Sequence, residues 1–324
     1  MCRKIVWLSV IVFVSSFFLG TSLTFAAWPE RPITMIIPWA AGGGTDINAR
    51  LVGKLLEKEL GIQVPCINRT GGSGVVGHKA IADAAPDGYT IGCITAELNM
   101  MHWAGLTDLD YKGFTPLALL TAVAGAVFVE AGSPYKTGSD LVNAIKTNPG
   151  KIKASGAGIG SIWHLATAGM LDALNLKVSD VVWVPNQGAT PSIQDLAAGG
   201  LDMVICAPSE ARAMYDAGKI RGLAYFAKER NPVFPNIPTF KEVFGKDYLL
   251  DSWGGVAAPK GLPDEIKEKL AQAIKRAFYS DEFRDTMARM GRTTSYKGPQ
   301  EFFEFMAAMD QEFGKTMKAV GIAK

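Results

Sequence analysis

Hydrophobic residues near the start of the mature chain follow two different spacings, and a run of glycines separates them. Residues 33–37 form a short apolar run, which predicts a strand buried on both faces. Apolar residues then recur at helical spacing over residues 47–60, which predicts an amphipathic helix. Three glycines occupy positions 42–44, just before Thr45 and Asp46. We therefore predict a strand, a glycine loop and a helix that Thr45 or Asp46 caps.

The same pattern recurs in the second half of the chain. Residues 152–155 predict a short strand, glycines alternate through residues 156–160, and Ser161 can cap a helix over residues 162–174. A glycine loop before a helix start directs free backbone N–H groups and partial positive charge at one point. Such a point suits an anion such as a carboxylate or a phosphate. We predict that each loop supplies one half of a binding site.

Short apolar strands and amphipathic helices alternate along the rest of the chain, which predicts an α/β fold. About 300 mature residues exceed the usual size of a single core. The long apolar segment 118–130 reads as one strand that crosses to a second domain, and residues 253–258 read as a returning strand. We accordingly assign residues 27–122 plus 252–324 to lobe 1 and residues 123–251 to lobe 2.

The first residues have the pattern of a signal peptide. Arg3 and Lys4 precede an almost wholly apolar run over residues 5–19, and small residues lead to a cleavage site near Ala26. The alternative is a retained membrane anchor, but the run is shorter than the roughly 20 residues that a spanning helix needs. We expect residues 1–26 to be removed and the mature protein to be soluble and exported; the periplasmic location is implied by the family resemblance given below.

Charge and cysteine content exclude several classes of function. The chain has 33 basic and 31 acidic residues, and the leader carries two of the basic ones, so the mature protein is close to neutral. This balance, without basic runs, argues against nucleic acid as a partner. Cys66, Cys93 and Cys206 fit no metal-binding spacing, so we expect no metal. They are either three free thiols or include a Cys66–Cys93 disulfide, which an oxidising compartment allows.

Two enzyme classes remain as alternatives. Residues 72–77 read GSGVVG, which formally matches a dinucleotide-binding fingerprint, but exported proteins rarely have access to NAD. We expect no cofactor. Ser161 and His164 lie three residues apart and form the best hydrolase pair, but no acidic residue is evident to orient the histidine. An exported hydrolase would lose activity in Ser161→Ala, whereas a binding protein would convert no substrate.

Several segments, in their order along the chain, resemble the tripartite tricarboxylate transporter receptors, or Bug family. The segments are PWAAGGGTD (38–46), NRTGGSGVVG (68–77), PDGYT (86–90), SGAGIGSIWHLA (155–166), AGGLDM (198–203), AGKIRGLA (217–224), IPTFKE (237–242) and GGVAAPKGLP (254–263). The resemblance implies a two-lobed type II periplasmic binding protein fold with a ligand cleft between the lobes. It also implies a small carboxylate ligand, delivered to a membrane permease of one large and one small subunit. We expect a monomeric receptor that is not an enzyme.

The resemblance also assigns residues to the site. Backbone amides of the first loop are expected to hold the ligand carboxylate, at Ala41, Gly42, Gly43 and Thr45. Asp46 matches a position that orders the site or meets a ligand donor group, and its alternative role is a plain helix cap. The second loop contributes Ser155, Gly158, Ser161 and His164. Asp202 matches an acidic position near the cleft. Glu97 joins this set because it follows a predicted strand at the sheet edge where α/β proteins bind ligands.

This chain departs from the family pattern in ways that bear on the ligand. Asn186 and Gln187 stand where the family commonly has tyrosine and lysine, so amides replace a phenol and a cation. Trp39 and Trp163 flank the two loops and either form flat walls for a ring-bearing acid or pack structurally. The loops contain no arginine. We therefore expect carboxylate binding to rely on backbone amides and helix ends, which does not suit a highly charged tricarboxylate.

Overall fold

The computed structural model describes residues 28–324. The predicted signal peptide and its cleavage site near Ala26 lie outside these residues. The strands of the described chain are β1 Thr34–Ile37, β2 Cys66–Asn68, β3 Thr90–Thr95, β4 Phe114–Ala124, β5 Ala126–Glu130, β6 Ile152–Ser155, β7 Val181–Trp183, β8 Met203–Cys206, β9 Ile220–Tyr225, β10 Asp251–Pro259 and β11 Thr294–Lys297. Its helices are α1 Gly44–Leu60, α2 Val75–Ala82, α3 Gly138–Thr147, α4 Ile162–Ala173, α5 Ala189–Ala197, α6 Pro208–Asp216, α7 Phe240–Phe244, α8 Asp264–Tyr279, α9 Asp281–Arg289 and α10 Pro299–Ala319.

The strands form two mixed sheets. The first sheet has six strands in the order β11-β4-β10-β3-β1-β2, and the second has five in the order β7-β6-β8-β5-β9. β1 pairs in parallel with β2 and β3, and β6 pairs in parallel with β7 and β8. Parallel neighbours need crossover helices, and the helices between these strands supply them. The predicted α/β class is confirmed.

A single glycine carries the chain from the first sheet to the second. β4 ends in the first sheet, Gly125 follows, and β5 begins in the second sheet. A Cβ atom at Gly125 would lie 2.9 Å from the ring of Trp163, so the glycine allows this tryptophan to pack against the crossing. The prediction of one continuous strand over 118–130 is therefore wrong. The backbone exchanges one set of ladder partners for another at residue 125.

The chain returns to the first sheet after β9. Residues 226–250 lead to β10, which enters between β4 and β3. The first sheet thus contains strands from both ends of the chain, and the second contains strands from its middle. Two sheets joined by two crossings give the two-lobed fold that the family resemblance implies.

The two glycine loops differ in how their helices begin. α1 begins at Gly44, and Gly43 is its N-cap without a side-chain hydrogen bond. The predicted cap at Thr45 or Asp46 is wrong because the helix already starts at the third glycine. The second unit confirms its prediction, since Ser161 caps α4 and its hydroxyl accepts a hydrogen bond from the His164 N–H at 3.4 Å.

Other elements differ from their predictions at edges and ends. β2 is a short edge strand that begins only at Cys66, and α5 begins after Gly188, which is its N-cap. The sequence also did not predict α9 or the edge strand β11. α9 buries only Phe283 and Met287, and β11 is a four-residue edge strand without a fully buried residue, so both offer few apolar positions to the sequence pattern.

Three of the four cysteines lie within residues 28–324. Cys66, Cys93 and Cys206 are free thiols, so the Cys66–Cys93 disulfide does not form. No group of histidine, cysteine and acidic side chains in this range is arranged to hold a metal ion. The same residues contain no helix with the length and apolar character to cross a membrane.

Candidate functional site

A cavity lies between the two sheets, where β1, β3, β6 and β8 end. The connecting strands β4 and β10 contribute to its wall, and the helices α1, α4 and α5 all begin beside it. The cavity is lined by Trp39, Ala40, Gly43, Gly44, Thr45, Thr95, Glu97, Val123, Ala157, Ile162, Trp163, Gly188, Ala189, Thr190, Glu210, Ser252 and Arg292. Helix N-termini that converge from both sheets favour negative charge at this point.

Asp46, in the first turn of α1, holds the first loop and does not line the cavity. The Asp46 carboxylate accepts hydrogen bonds from the Gly42 N–H at 2.9 Å, the Arg50 side chain at 3.0 Å and the Asn68 amide at 2.9 Å. Burial alone would raise the pKa of Asp46, but these hydrogen bonds together hold it below its ordinary value. Asp46 therefore orders the loop. It also accepts the hydrogen bond of the Gly42 N–H, a group that the sequence analysis expected to bind the ligand.

The second loop is held by His164. The Gly160 N–H donates to Nδ1 of His164 at 3.1 Å, and the imidazole lies against the Trp183 ring with centroids 4.7 Å apart. Burial lowers the pKa of His164 to about 4, so the ring is neutral at physiological pH. Ser161 is buried as the helix cap, and its hydroxyl faces the helix N–H groups. Ser161 and His164 thus hold the loop and the helix start through the hydrogen bonds that the structure shows.

Two glutamates, the buried Glu97 and the half-buried Glu210, each reach across from one half of the molecule to the other. Glu97 follows β3 of the first sheet, and its Oε1 accepts from the Ile162 N–H at the start of α4, at 3.1 Å. Glu210, on α6 beside the second sheet, accepts through Oε1 from the Gly44 N–H at the start of α1, at 3.2 Å. Each carboxylate thus meets the helix N-terminus of the opposite half. Burial raises the pKa of both groups.

Each glutamate has a second partner within its own half. The Thr95 hydroxyl donates to Oε2 of Glu97 at 2.5 Å, and the Ala207 N–H donates to Oε2 of Glu210 at 3.0 Å. The glutamates are therefore fixed on both oxygens. They hold the two halves of the molecule together across the cavity.

Arg292 reaches the same cavity from the segment after α9. Its side chain is 8% exposed, and Nη1 donates to the Ser209 hydroxyl at 3.1 Å. Nε is buried without a hydrogen-bond partner, and Arg292 forms no ion pair within residues 28–324. Burial lowers the pKa of Arg292, and the negative charge of Glu210 opposes this shift. A Cβ atom at Gly44 would overlap Nη1, so the third glycine of the first loop makes room for the guanidinium.

Trp39 and Trp163 both line the cavity. The Trp39 Nε1–H donates to the Thr95 hydroxyl at 3.2 Å, and Trp163 is buried against the crossing at Gly125. Both tryptophans therefore combine packing between the halves with a surface that faces the cavity.

Comparison with known families identifies the type of protein. The model of the tripartite tricarboxylate transporter family receptor matches residues 48–322. The chain belongs to this receptor family.

Relatives and solved structures agree with the family. The chain is 28% identical to BugT of Bordetella pertussis, over 96% of this chain and 95% of that protein. The periplasmic binding protein BugD is 26% identical, with a TM-score of 0.86 over 92% of this chain and all of BugD. MatC of Rhodopseudomonas palustris, solved with malate, is 26% identical with a TM-score of 0.82, over 89% of this chain and 99% of MatC. Rpa4515 of R. palustris, solved with adipate, is 27% identical with a TM-score of 0.85, over 91% and 99%.

Membership of this family makes the chain a periplasmic solute-binding receptor with the two-lobed fold. The structure brings only part of the predicted site of this receptor to the cavity. The predicted residues that line it are Trp39, Gly43, Thr45 and Glu97. The predicted residues outside its lining are Ala41, Gly42, Asp46, Ser155, Gly158, Ser161, His164, Asn186, Gln187 and Asp202.

The residues outside the lining hold other parts of the structure. The Ser155 hydroxyl donates to the Val184 carbonyl at 2.7 Å, and the Thr70 hydroxyl donates to the Gln187 side chain at 3.1 Å across the rim of the cleft. Asp202 lies at the start of β8, where its carboxylate accepts from the Lys153 N–H at 2.8 Å. The cavity lies beyond the other end of this strand. Asp202 is therefore not brought to the cleft.

The sequence prediction missed Glu210 and Arg292. Glu210 occupies the third position of α6, where a glutamate marks a helix start, so a local signal was present but indicated only a cap. Arg292 follows a helix that was not predicted and belongs to none of the segments that resemble the family. The loops themselves contain no arginine, as noted from the sequence, but the fold brings Arg292 to the cavity from more than 200 residues beyond the first loop.

Proposed function

We propose that this receptor captures a small carboxylate between its lobes and delivers it to a tripartite transporter, without chemical conversion. The cavity between the two sheets carries this proposal. It combines the N-termini of α1, α4 and α5, the first two of which also meet Glu210 and Glu97, with the buried guanidinium of Arg292, whose Nε has no hydrogen-bond partner within residues 28–324.

The ligand is a compact acid. The cavity has a volume of about 50 Å³, and Trp39 and Trp163 both line it. Malate bound to MatC and adipate bound to Rpa4515 are acids of this general kind in relatives of the same fold. A small aliphatic acid fits between the two tryptophan rings of this cavity. A small acid with a ring can contact the same two rings, so the proposal includes both kinds of acid.

The finer features of the receptor belong to the same proposal. The signal peptide is removed near Ala26, and the mature protein is a monomer with lobe 1 at residues 27–122 plus 252–324 and lobe 2 at residues 123–251. The closed form docks on a permease of one large and one small membrane subunit. Ligand drives closure only as far as it binds the closed form better than the open form.

A thermal-shift screen of the mature protein tests capture. The panel contains short aliphatic mono- and diacids, hydroxy acids, acidic amino acids, aromatic acids, citrate and NAD. An acid present at 100 times its Kd stabilises the protein by about 2.7 kcal/mol, which gives a clear rise in Tm. We expect a rise with at least one small carboxylate and an unchanged NMR spectrum of that acid after prolonged incubation. No rise with any acid, or appearance of a product, contradicts the proposal.

Delivery is tested in cells. Deleting the gene should abolish high-affinity uptake of the acid that the purified protein binds, and a plasmid copy should restore it. Unimpaired uptake in the deletion strain contradicts a role in delivery and leaves binding itself unaffected.

A further inference from the structure

Arg292 is a buried cation whose charge is unmatched by direct contact. Its single hydrogen bond within residues 28–324 joins Nη1 to Ser209, and Nε is buried without a partner. Removing a guanidinium from water is unfavourable unless an anion or several acceptors compensate for the lost hydration. The cavity that Arg292 lines is the place where such an anion can lie.

The free edge of the guanidinium has the geometry for a carboxylate. With Nη1 bonded to Ser209, the edge formed by Nε and Nη2 carries two parallel N–H groups that are free to donate. A carboxylate accepts from such an edge through both oxygens, which is the strongest common mode of arginine–carboxylate recognition. Gly44 lies against the guanidinium, close to Nη1, and its lack of a side chain lets the group approach the start of α1.

Two carboxylates in the cavity lining have acceptor capacity for a hydrogen-bond donor on the ligand. Glu97 and Glu210 line the cavity, and each accepts two hydrogen bonds from the protein. An ionised carboxylate has about four acceptor sites, so each retains capacity for a further donor. A ligand that offered only carboxylates would leave these acceptors unmatched beside its own negative charge.

We propose that Arg292 is the specificity-determining contact for the ligand carboxylate, and that the ligand also carries a hydroxyl or ammonium group that donates to Glu97 or Glu210. This inference rests on the proposed function and narrows its ligand to hydroxy acids and amino acids.

Titration calorimetry with matched acids tests the ligand class. The probes are malate, aspartate and succinate, together with lactate and propionate, so that each plain acid has a counterpart with a donor group. We expect the hydroxy or amino acid of one series to bind at least about 10-fold more tightly than its plain counterpart. Plain acids that bind equally well overturn the donor requirement. Absence of binding by all five acids overturns the ligand class.

Substitution of Arg292 tests the contact. We expect Arg292→Gln to weaken binding of the best probe about 10- to 100-fold, and Arg292→Lys to fall between because it keeps the charge and loses the fork. Arg276→Gln, which removes an exposed arginine paired with Glu59 on the surface, is the matched control and should bind normally. Circular dichroism of each variant establishes that it is folded, and Arg292→Lys keeps the test decisive if Arg292→Gln fails to fold.

The outcomes separate the two proposals. If acids bind the wild-type protein and Arg292→Gln equally well, the Arg292 contact is wrong and the receptor function stands. If no acid of the wider thermal-shift panel binds the wild-type protein, the receptor function itself is wrong.

Discussion

At the scale of single residues, the site is controlled by buried charges that the protein fixes in advance. Glu97 and Glu210 are each held by two donors, and Arg292 is held by one. Fixed charges in a partly enclosed cavity interact with a ligand more strongly than exposed ones do, because less solvent screens them. Burial also makes the charged form of each group less favourable. It raises the pKa of Glu97 and Glu210 and lowers the pKa of Arg292.

Replacement of Glu97 by glutamine should stabilise the protein increasingly as pH rises. Burial raises the pKa of Glu97 above its unfolded value, so the wild-type protein loses stability as pH rises through that raised pKa. The uncharged Glu97→Gln variant avoids this loss, which amounts to about 1.4 kcal/mol for each unit of pKa elevation. Urea unfolding of both proteins at pH 5 and pH 8 measures the difference. Glu229→Gln on the surface is the control, and an equal difference at the two pH values contradicts the assignment.

Replacement of His164 by asparagine should improve stability in acid. Burial lowers the pKa of His164 to about 4 from an ordinary 6.5, so the wild-type protein loses stability as pH falls between these values. The full loss is about 3 kcal/mol. Asparagine retains an acceptor for the Gly160 N–H and does not titrate. The free energy of unfolding of each protein is measured at pH 7 and at pH 4.5. Between pH 7 and pH 4.5 the wild-type protein should lose more stability than His164→Asn. An equal loss in the two proteins would contradict a buried neutral histidine.

At the scale of elements, the two strand–glycine–helix units were predictable because their signals are local. Apolar spacing over residues 33–37 and 47–60 depends only on neighbouring positions, and so does the cap at Ser161. The partners of the helix ends were not predictable, because Glu210 and Glu97 come from the opposite half of the molecule. The glycines of the first loop are required for different structural reasons. Gly42 has φ 79°, whereas Gly44 makes room for a side chain.

Gly158 tests whether the two loops meet in the closed form. A Cβ atom at Gly158 would overlap the side chain of Ser73, which lies on the loop before α2 in the other half. We expect Gly158→Ala to separate the loops, to increase the radius of gyration in small-angle X-ray scattering, and to weaken acid binding. The wild-type protein is measured in parallel.

A second substitution provides the control for that prediction. Ser73→Gly in the Gly158→Ala background should restore closure, because it removes the obstructing side chain at a position with φ 56° that glycine tolerates. Gly298→Ala, where a Cβ atom would meet nothing within 4 Å, should leave shape and affinity unchanged. A Gly158→Ala variant that scatters and binds like the wild type would show that these loops do not meet on closure.

At the scale of the whole molecule, the sequence predicted the α/β class and, through its family resemblance, the two lobes. It placed a site between the two glycine loops, and the cavity does lie between them. The charged lining could not be predicted, since Arg292 has no local motif and becomes a neighbour of Gly44 only through the fold. Asp202 is the converse case, because this position taken from a family pattern lies just before β8, at the end of the strand away from the cavity.

The central claim is that a small acid binds in the cavity between the two sheets. A crystal structure of the wild-type protein with the acid that gives the largest thermal shift tests it most directly. We expect the acid between Trp39 and Trp163, with its carboxylate within hydrogen-bond distance of the Arg292 guanidinium. An acid bound on another surface, with the lining of the cavity unchanged from the ligand-free protein, would contradict the claim.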